Sequence, residues 1–126
     1  MTRVLITGSR KFQSKAVIES ALKIVCLYDG FENCRLVHGA AKGADSLSAN
    51  VAKELGIGDI QAYPADWDRH GKKAGYVRNA EMVALGHDVC LAFFSPDHEN
   101  RGTQMCANLA EKAGITVLRF RDRTGG

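Results

Sequence analysis

The chain has 126 residues and a mass of 13.7 kDa, 45% of it hydrophobic, enough for one buried core and too little for two ordinary domains. Seventeen basic against 14 acidic residues leave a formal charge of +3, which admits an anionic ligand but lacks the concentrated basic tract of a nucleic-acid arm. Apolar stretches are short and interrupted, and no basic start leads into an apolar segment with a small-residue cleavage site, so neither a membrane span nor a secretory signal is expected. Cys26, Cys34, Cys90 and Cys106 form no C-x-x-C pair and sit within apolar patterns, as expected for reduced, buried thiols in a cytoplasmic protein.

In chain order, Val4-Leu5-Ile6 is a short apolar run ending at Thr7-Gly8, the pattern of a strand buried on both faces. Helical spacing runs from Ser14, a plausible cap, to about Tyr28, with Asp29-Gly30 as the stop. Arg35–His38 predicts a second strand broken by Gly39, and Asp45–Leu55 a helix closed by Gly56. Ile60–Tyr63 predicts a weak third strand ending at Pro64; a polar, aromatic-containing loop and a helix from roughly Gly75 to Leu85 follow. Asp88–Phe94 is the strongest strand; Gly102-Thr103 opens a fourth helix ending at Gly114, and Ile115–Phe120 makes the last strand. Regular strand–helix succession implies a single-domain, doubly wound parallel α/β sheet of five strands over residues 1–120, order 3-2-1-4-5, with helices on both faces and residues 121–126 as a flexible tail.

In such a sheet ligands bind outside the carboxyl ends of the strands, where the strand order reverses. The conspicuous non-core residues each follow a predicted strand: Gly8-Ser9-Arg10; His38-Gly39 through Lys42-Gly43-Ala44-Asp45; Pro64 to Asn79, with Trp67 and Arg78; and Ser95 to Thr103, with Gly102. Glycines let backbone N–H groups approach an anion, Arg10 and Lys42 add positive charge, and Ser9 and Thr103 supply hydroxyls for a phosphate or ribose. Neither G-x-G-x-x-G nor G-x-x-x-x-G-K-[ST] occurs, against a standard dinucleotide-binding domain and a P-loop NTPase. The structural alternatives are that Gly8 and Gly39 only turn the chain, Asp45 and Thr103 only cap helices, His38 only supports the loop, and Trp67 and Tyr76 only pack against the sheet. Asp66, Asp68, His70 and Asp97, His98, Glu99 have no spacing that fixes a metal site, so no metal and no cofactor is expected.

As an ordered set, Val4 to Arg10, His38-Gly39 through Asp45, Tyr63-Pro64-Ala65-Asp66-Trp67, Gly71 with Ala74-Gly75, Arg78-Asn79 through Met82, and Gly102-Thr103 resemble the small YpsA-related proteins of the SLOG superfamily, over nearly the whole chain. The resemblance implies a modified Rossmann fold that binds nucleotides or nucleotide-derived ligands, with a homo-oligomer implied as well. Relatives include the cytokinin-activating LOG phosphoribohydrolases and the DNA-processing protein DprA. The LOG motif R-K-x-x-M is similar to Arg78-Asn79-Ala80-Glu81-Met82, so Arg78 matches the arginine assisting glycosidic cleavage, but Cys106 stands where that family has its glutamate. A hydrolase would therefore need another carboxylate: Asp45 first, then Asp66 or Glu81. Three functions follow as expectations: a nucleotide-derived ligand bound at the strand-end loops, as in a sensor; N-glycosidic hydrolysis of nucleotides by Arg78 and Asp45; and single-stranded nucleic-acid binding, suggested by Arg101, Arg119, Arg121 and Arg123 but set against a solvated basic tail.

Overall fold

Successive side chains of a strand point to opposite faces, so an uninterrupted apolar run is useful only where both faces are covered. In the computed structural model, which describes residues 1–96 and 100–122, β1 (Thr2–Gly8), β2 (Cys34–His38), β3 (Asp59–Ala62), β4 (Val89–Phe94) and β5 (Thr116–Arg121) form one parallel sheet in the order β3-β2-β1-β4-β5. Val4, Ile6, Leu36, Leu91 and Phe93 face α1 (Lys15–Val25) and α2 (Ala44–Leu55), meeting Ile18, Leu22 and Val51. On the other face Leu5, Val37 and Cys90 meet Met82 of α4 (Ala74–Ala84) and Cys106 and Ala110 of α5 (Arg101–Lys112). Every residue of β4 is buried, which accounts for its unbroken apolar run.

Ser14 caps α1, its hydroxyl accepting a hydrogen bond from Val17 N at 3.3 Å. That helix stops at Val25, short of Tyr28: Leu27 and Tyr28 continue the apolar spacing yet are exposed. The stretch read as a loop after β3 contains α3 (Trp67–His70), capped by Asp66 through a 3.1 Å bond from Arg69 N, and a 3-10 turn over Gly71–Lys73. A single turn is too short to show a helical period in sequence. The ordered chain passes residue 120: Arg121 completes β5, and Asp122 accepts from Gln13 N at 2.8 Å and donates its own N–H to Phe94 O at 3.0 Å. Asp97, His98, Glu99 and Arg123 lie outside the described residues. All four cysteines are free and buried, and burial pushes the Cys26 thiol up to about 12. Among the described residues no helix is long and apolar enough to cross a membrane.

From β1 the chain leads toward β2 and from β4 toward β5, so the strand order reverses between two hydrogen-bonded neighbours. A crevice opens at their carboxyl ends. Its floor is tight, because a Cβ added at Gly8 would overlap the Ala44 side chain and press on Phe93 O at 3.0 Å. A Cβ at Gly102 would meet nothing within 4 Å. Gly8→Ala should therefore destabilise the protein by about 1–3 kcal/mol in urea unfolding, whereas Gly102→Ala, at the start of α5, should leave stability unchanged or slightly raised.

Candidate functional site

The loop after β1 is pinned through its backbone. Ser9 N donates to Phe93 O at 2.9 Å, Ser9 O accepts from Phe12 N at 3.2 Å and Ala44 N at 3.1 Å, and Ser9 Oγ accepts from Lys11 N at 3.0 Å. Phe12 is buried against Phe93, ring centroids 5.2 Å apart, and Phe93 stacks on Phe120 at 5.3 Å. Arg10 and Lys11 are thereby held at the surface on a fixed base. Gly43, at φ +75°, lies against the Ser9 and Arg10 carbonyls, where any Cβ would collide.

The loop after β2 winds around Asp45. Its Oδ2 accepts from Gly39 N at 3.0 Å and Ala41 N at 3.2 Å, while Oδ1 is buried with no partner. Gly43, not Asp45, occupies the N-cap of α2, so the carboxylate ties the loop instead of capping the helix. Ala40 is held at φ 58°, a conformation alanine adopts at a cost of roughly 1 kcal/mol. Its N–H donates to His38 Nδ1 at 3.0 Å, and burial, reinforced by Arg78, holds the His38 imidazole below its ordinary range. Burial pushes the Asp45 carboxyl up to about 6, against the opposing pull of the Ala41 and Gly39 amides and of Arg78.

Arg78 reaches this loop from α4. Nη1 donates to Gly39 O and, at 3.4 Å, to Tyr63 O, and Nε donates to Asn79 Oδ1 at 2.8 Å. Gly39 has no Cβ because the guanidinium fills that space. Asn79 continues the network, its Nδ2 lying 3.5 Å from Gly102 O at the start of α5. Asn100 closes the loop after β4, accepting from Ser95 N at 3.1 Å and donating to Ser95 O at 2.9 Å. It gives α5 no side-chain cap, and Thr103 is buried in the first turn of that helix.

These elements surround one cavity of about 630 Å³. Of the residues singled out from sequence, Gly8, Ser9, Arg10, Asp45, Trp67, Arg78, Asn79, Gly102 and Thr103 line it. His38, Gly39 and Gly43 stand behind the wall as supports, and Lys42 is exposed away from the lining. Lys72 and Asn100, inside the strand-end stretches Pro64 to Asn79 and Ser95 to Thr103, also line it, and Lys11 and Met105 join the lining from outside the four stretches, only Lys11 being signalled, by its position beside Arg10. Trp67 and Tyr76 form part of the rim, each 53% exposed. Asp45 is the one carboxylate among the described residues lining the cavity; Asp66 and Glu81 are exposed elsewhere. Cys106 is buried close to both Asp45 and Arg78, burial pushing its thiol up to about 11, so it stays neutral near pH 7.

A second, smaller cavity of about 420 Å³ lies at the amino ends of the strands, lined by Arg3, Val83, His87, Leu109 and Ile115 among others, and contains none of the strand-end loops. Among the described residues the arginines near the carboxyl end are dispersed: Arg101 lines the larger cavity, Arg119 pairs with Glu111 at 2.6 Å, and Arg121 sits 5.6 Å over the Phe94 ring. Among the described residues no group of three or more His, Cys, Asp or Glu side chains is placed to hold a metal ion.

Residues 2–70, more than half of the chain, match the family described as YspA, cpYpsA-related SLOG. The chain belongs to the SLOG family. This SLOG chain is 42% identical to the Gene 61 protein of Mycobacterium phage D29, over 98% of its own length and 99% of the phage protein. Its fold is also that of DNA processing protein A from Helicobacter pylori, a structure described for its single-stranded DNA binding mode, with a TM-score of 0.66 at 19% identity. The match takes in 98% of this chain but 66% of that one, so the chain spans just under two thirds of that neighbour.

Asp45 makes stability depend on pH with a definite sign. Its carboxyl protonates near 6 when folded against an ordinary 3.8, so between those values the folded chain binds more protons and stability falls as pH rises, levelling above about 6. Urea unfolding should show Asp45→Asn flattening this fall by on the order of 2–3 kcal/mol between pH 4 and pH 7. Equal slopes in the two proteins would show that Asp45 is not desolvated as described.

Proposed function

We propose that the larger cavity binds a nucleotide or nucleotide-derived ligand, with the phosphate on the loop after β1 and the start of α5 and the base against the rim aromatics. One observation carries this: a fixed glycine-containing loop, a guanidinium and two half-exposed rings line the same cavity of about 630 Å³. That volume suits a small-molecule ligand, since such pockets span roughly 300–1,000 Å³. Arg10, Lys11 and Lys72 supply a positive rim, and the Arg78 fork offers Nη2, which none of its bonds to Gly39, Tyr63 and Asn79 uses, for a planar contact with an oxyanion or base edge. A sensor needs only this binding; N-glycosidic hydrolysis would in addition require Asp45 to stabilise charge developing on the ribose, and its signature would be release of ribose 5-phosphate or a free base.

Single-stranded nucleic acid is the second ligand the site accommodates. Exposed Trp67 and Tyr76 beside Arg10, Lys11 and Lys72 make a stacking surface with phosphate-binding cations, and the Helicobacter pylori neighbour of like fold binds single-stranded DNA.

Calorimetric titration with nucleoside 5′-mono- and diphosphates and a short oligodeoxynucleotide tests both. Micromolar to millimolar binding of a mononucleotide should weaken about tenfold in Trp67→Ala or Tyr76→Ala, as loss of one stacked base contact requires. Failure of every mononucleotide to bind at millimolar concentration would remove the small-molecule ligand, and oligonucleotide binding that falls steeply with salt would establish the alternative.

A further inference from the structure

Asp45 is among the residues lining the cavity, is only 5% exposed, and its Oδ1 is buried without a hydrogen-bond partner. Its other oxygen is fully occupied by the Gly39 and Ala41 amides, which fix the orientation of the carboxylate. A buried carboxylate oxygen left unpaired is costly, and the deficit disappears when a donor arrives. Arg78 does not supply one: its Nη1 and Nε are spent on Gly39, Tyr63 and Asn79, and no ion pair joins it to Asp45. We propose that Asp45 is a specificity residue whose Oδ1 accepts a hydrogen bond from a hydroxyl of a ribose diol, so that the cavity selects ribonucleotides over nucleotides lacking one of those hydroxyls. This rests on the nucleotide reading given above.

Position along the cavity identifies the donor as a sugar hydroxyl. Asp45 follows Ala44, whose N–H is bonded to Ser9 O and whose side chain fills the space left by Gly8, so the carboxylate stands directly beside the loop assigned to the phosphate. The aromatic rings lie at the exposed rim, where the base would rest. In a nucleotide the group between phosphate and base is the sugar, and the donors it carries are its hydroxyls. A phosphate oxygen is excluded at Oδ1 by like charge.

The test compares the unmodified protein and Asp45→Asn, using AMP and UMP with their 2′-deoxy and 3′-deoxy analogues in calorimetric titrations. The unmodified protein should lose about tenfold or more in affinity when one of the two hydroxyls is removed, equally for adenine and uracil, as expected for a hydrogen bond to a charged acceptor. Asp45→Asn keeps an oxygen for the loop amides and puts a neutral N–H where the charged acceptor stood, so it should cut that discrimination to a few-fold while both deoxynucleotides still bind. Equal affinities of the unmodified protein for all the sugars would overturn the proposal without any variant. So would discrimination undiminished in Asp45→Asn, or a preference for AMP over UMP that Asp45→Asn abolishes, which would assign the donor to the base amine. Binding of none of these nucleotides would overturn the site's nucleotide assignment itself, an outcome distinct from binding without sugar discrimination.

Discussion

The site depends on the Ser9 carbonyl and on two glycines, Gly43 against that carbonyl and Gly8 against Ala44 and Phe93. That one oxygen receives the N–H of Phe12, which closes the loop after β1, and the N–H of Ala44, which begins α2. The approach of α2 to this loop requires Gly8 and Gly43 to lack side chains, since a Cβ at either would occupy the space of Ala44 or of the Ser9 and Arg10 backbone. Joined in this way, two strand-end loops from neighbouring strands become one rigid wall, and Asp45 and Arg10 acquire a fixed relation that neither loop could impose alone.

Opposite this wall, α4 contributes through Arg78, which is less a mobile cation than a brace. Bonds to the Gly39 and Tyr63 carbonyls and to Asn79 consume much of its donor capacity and clamp together the chain segments after β2 and β3. The brace also explains the composition of the loop it meets: Gly39 leaves room for the guanidinium, and Ala40 accepts a left-handed backbone so that two amides can converge on Asp45. What is left unsatisfied after this bracing is one carboxylate oxygen and part of one guanidinium, and both belong to residues lining the same cavity.

Local patterns in this chain are legible in sequence, and placements set by packing are not. Strands β1, β2 and β4 were readable because burial on both faces demands continuous apolar runs, and Ser14 and Gly56 marked helix ends because each satisfies orphaned backbone groups by local chemistry. The turn over Trp67–His70 was not readable, since one helical turn presents no repeat, and α1 was extended too far because the exposed Leu27 and Tyr28 mimic a buried stripe. Among site residues, Gly8, Arg10, Asp45 and Arg78 announced themselves by falling after strands. Met105 gave no such signal, because its place at the cavity follows from how α5 packs.

Sequence alone determined the parallel α/β architecture with its reversal between β1 and β4, because hydrophobic period and glycine punctuation are local properties that each segment carries with it. It also determined that the unusual residues would share one end of the sheet. Which of them face the cavity and which stand behind it was decided by the tertiary structure: His38 turns to an amide, Gly39 and Gly43 yield their space to a guanidinium and a backbone, and Lys42 lies outside. Those roles are set by distances between segments remote in the chain, and no pattern within a single segment records such a distance.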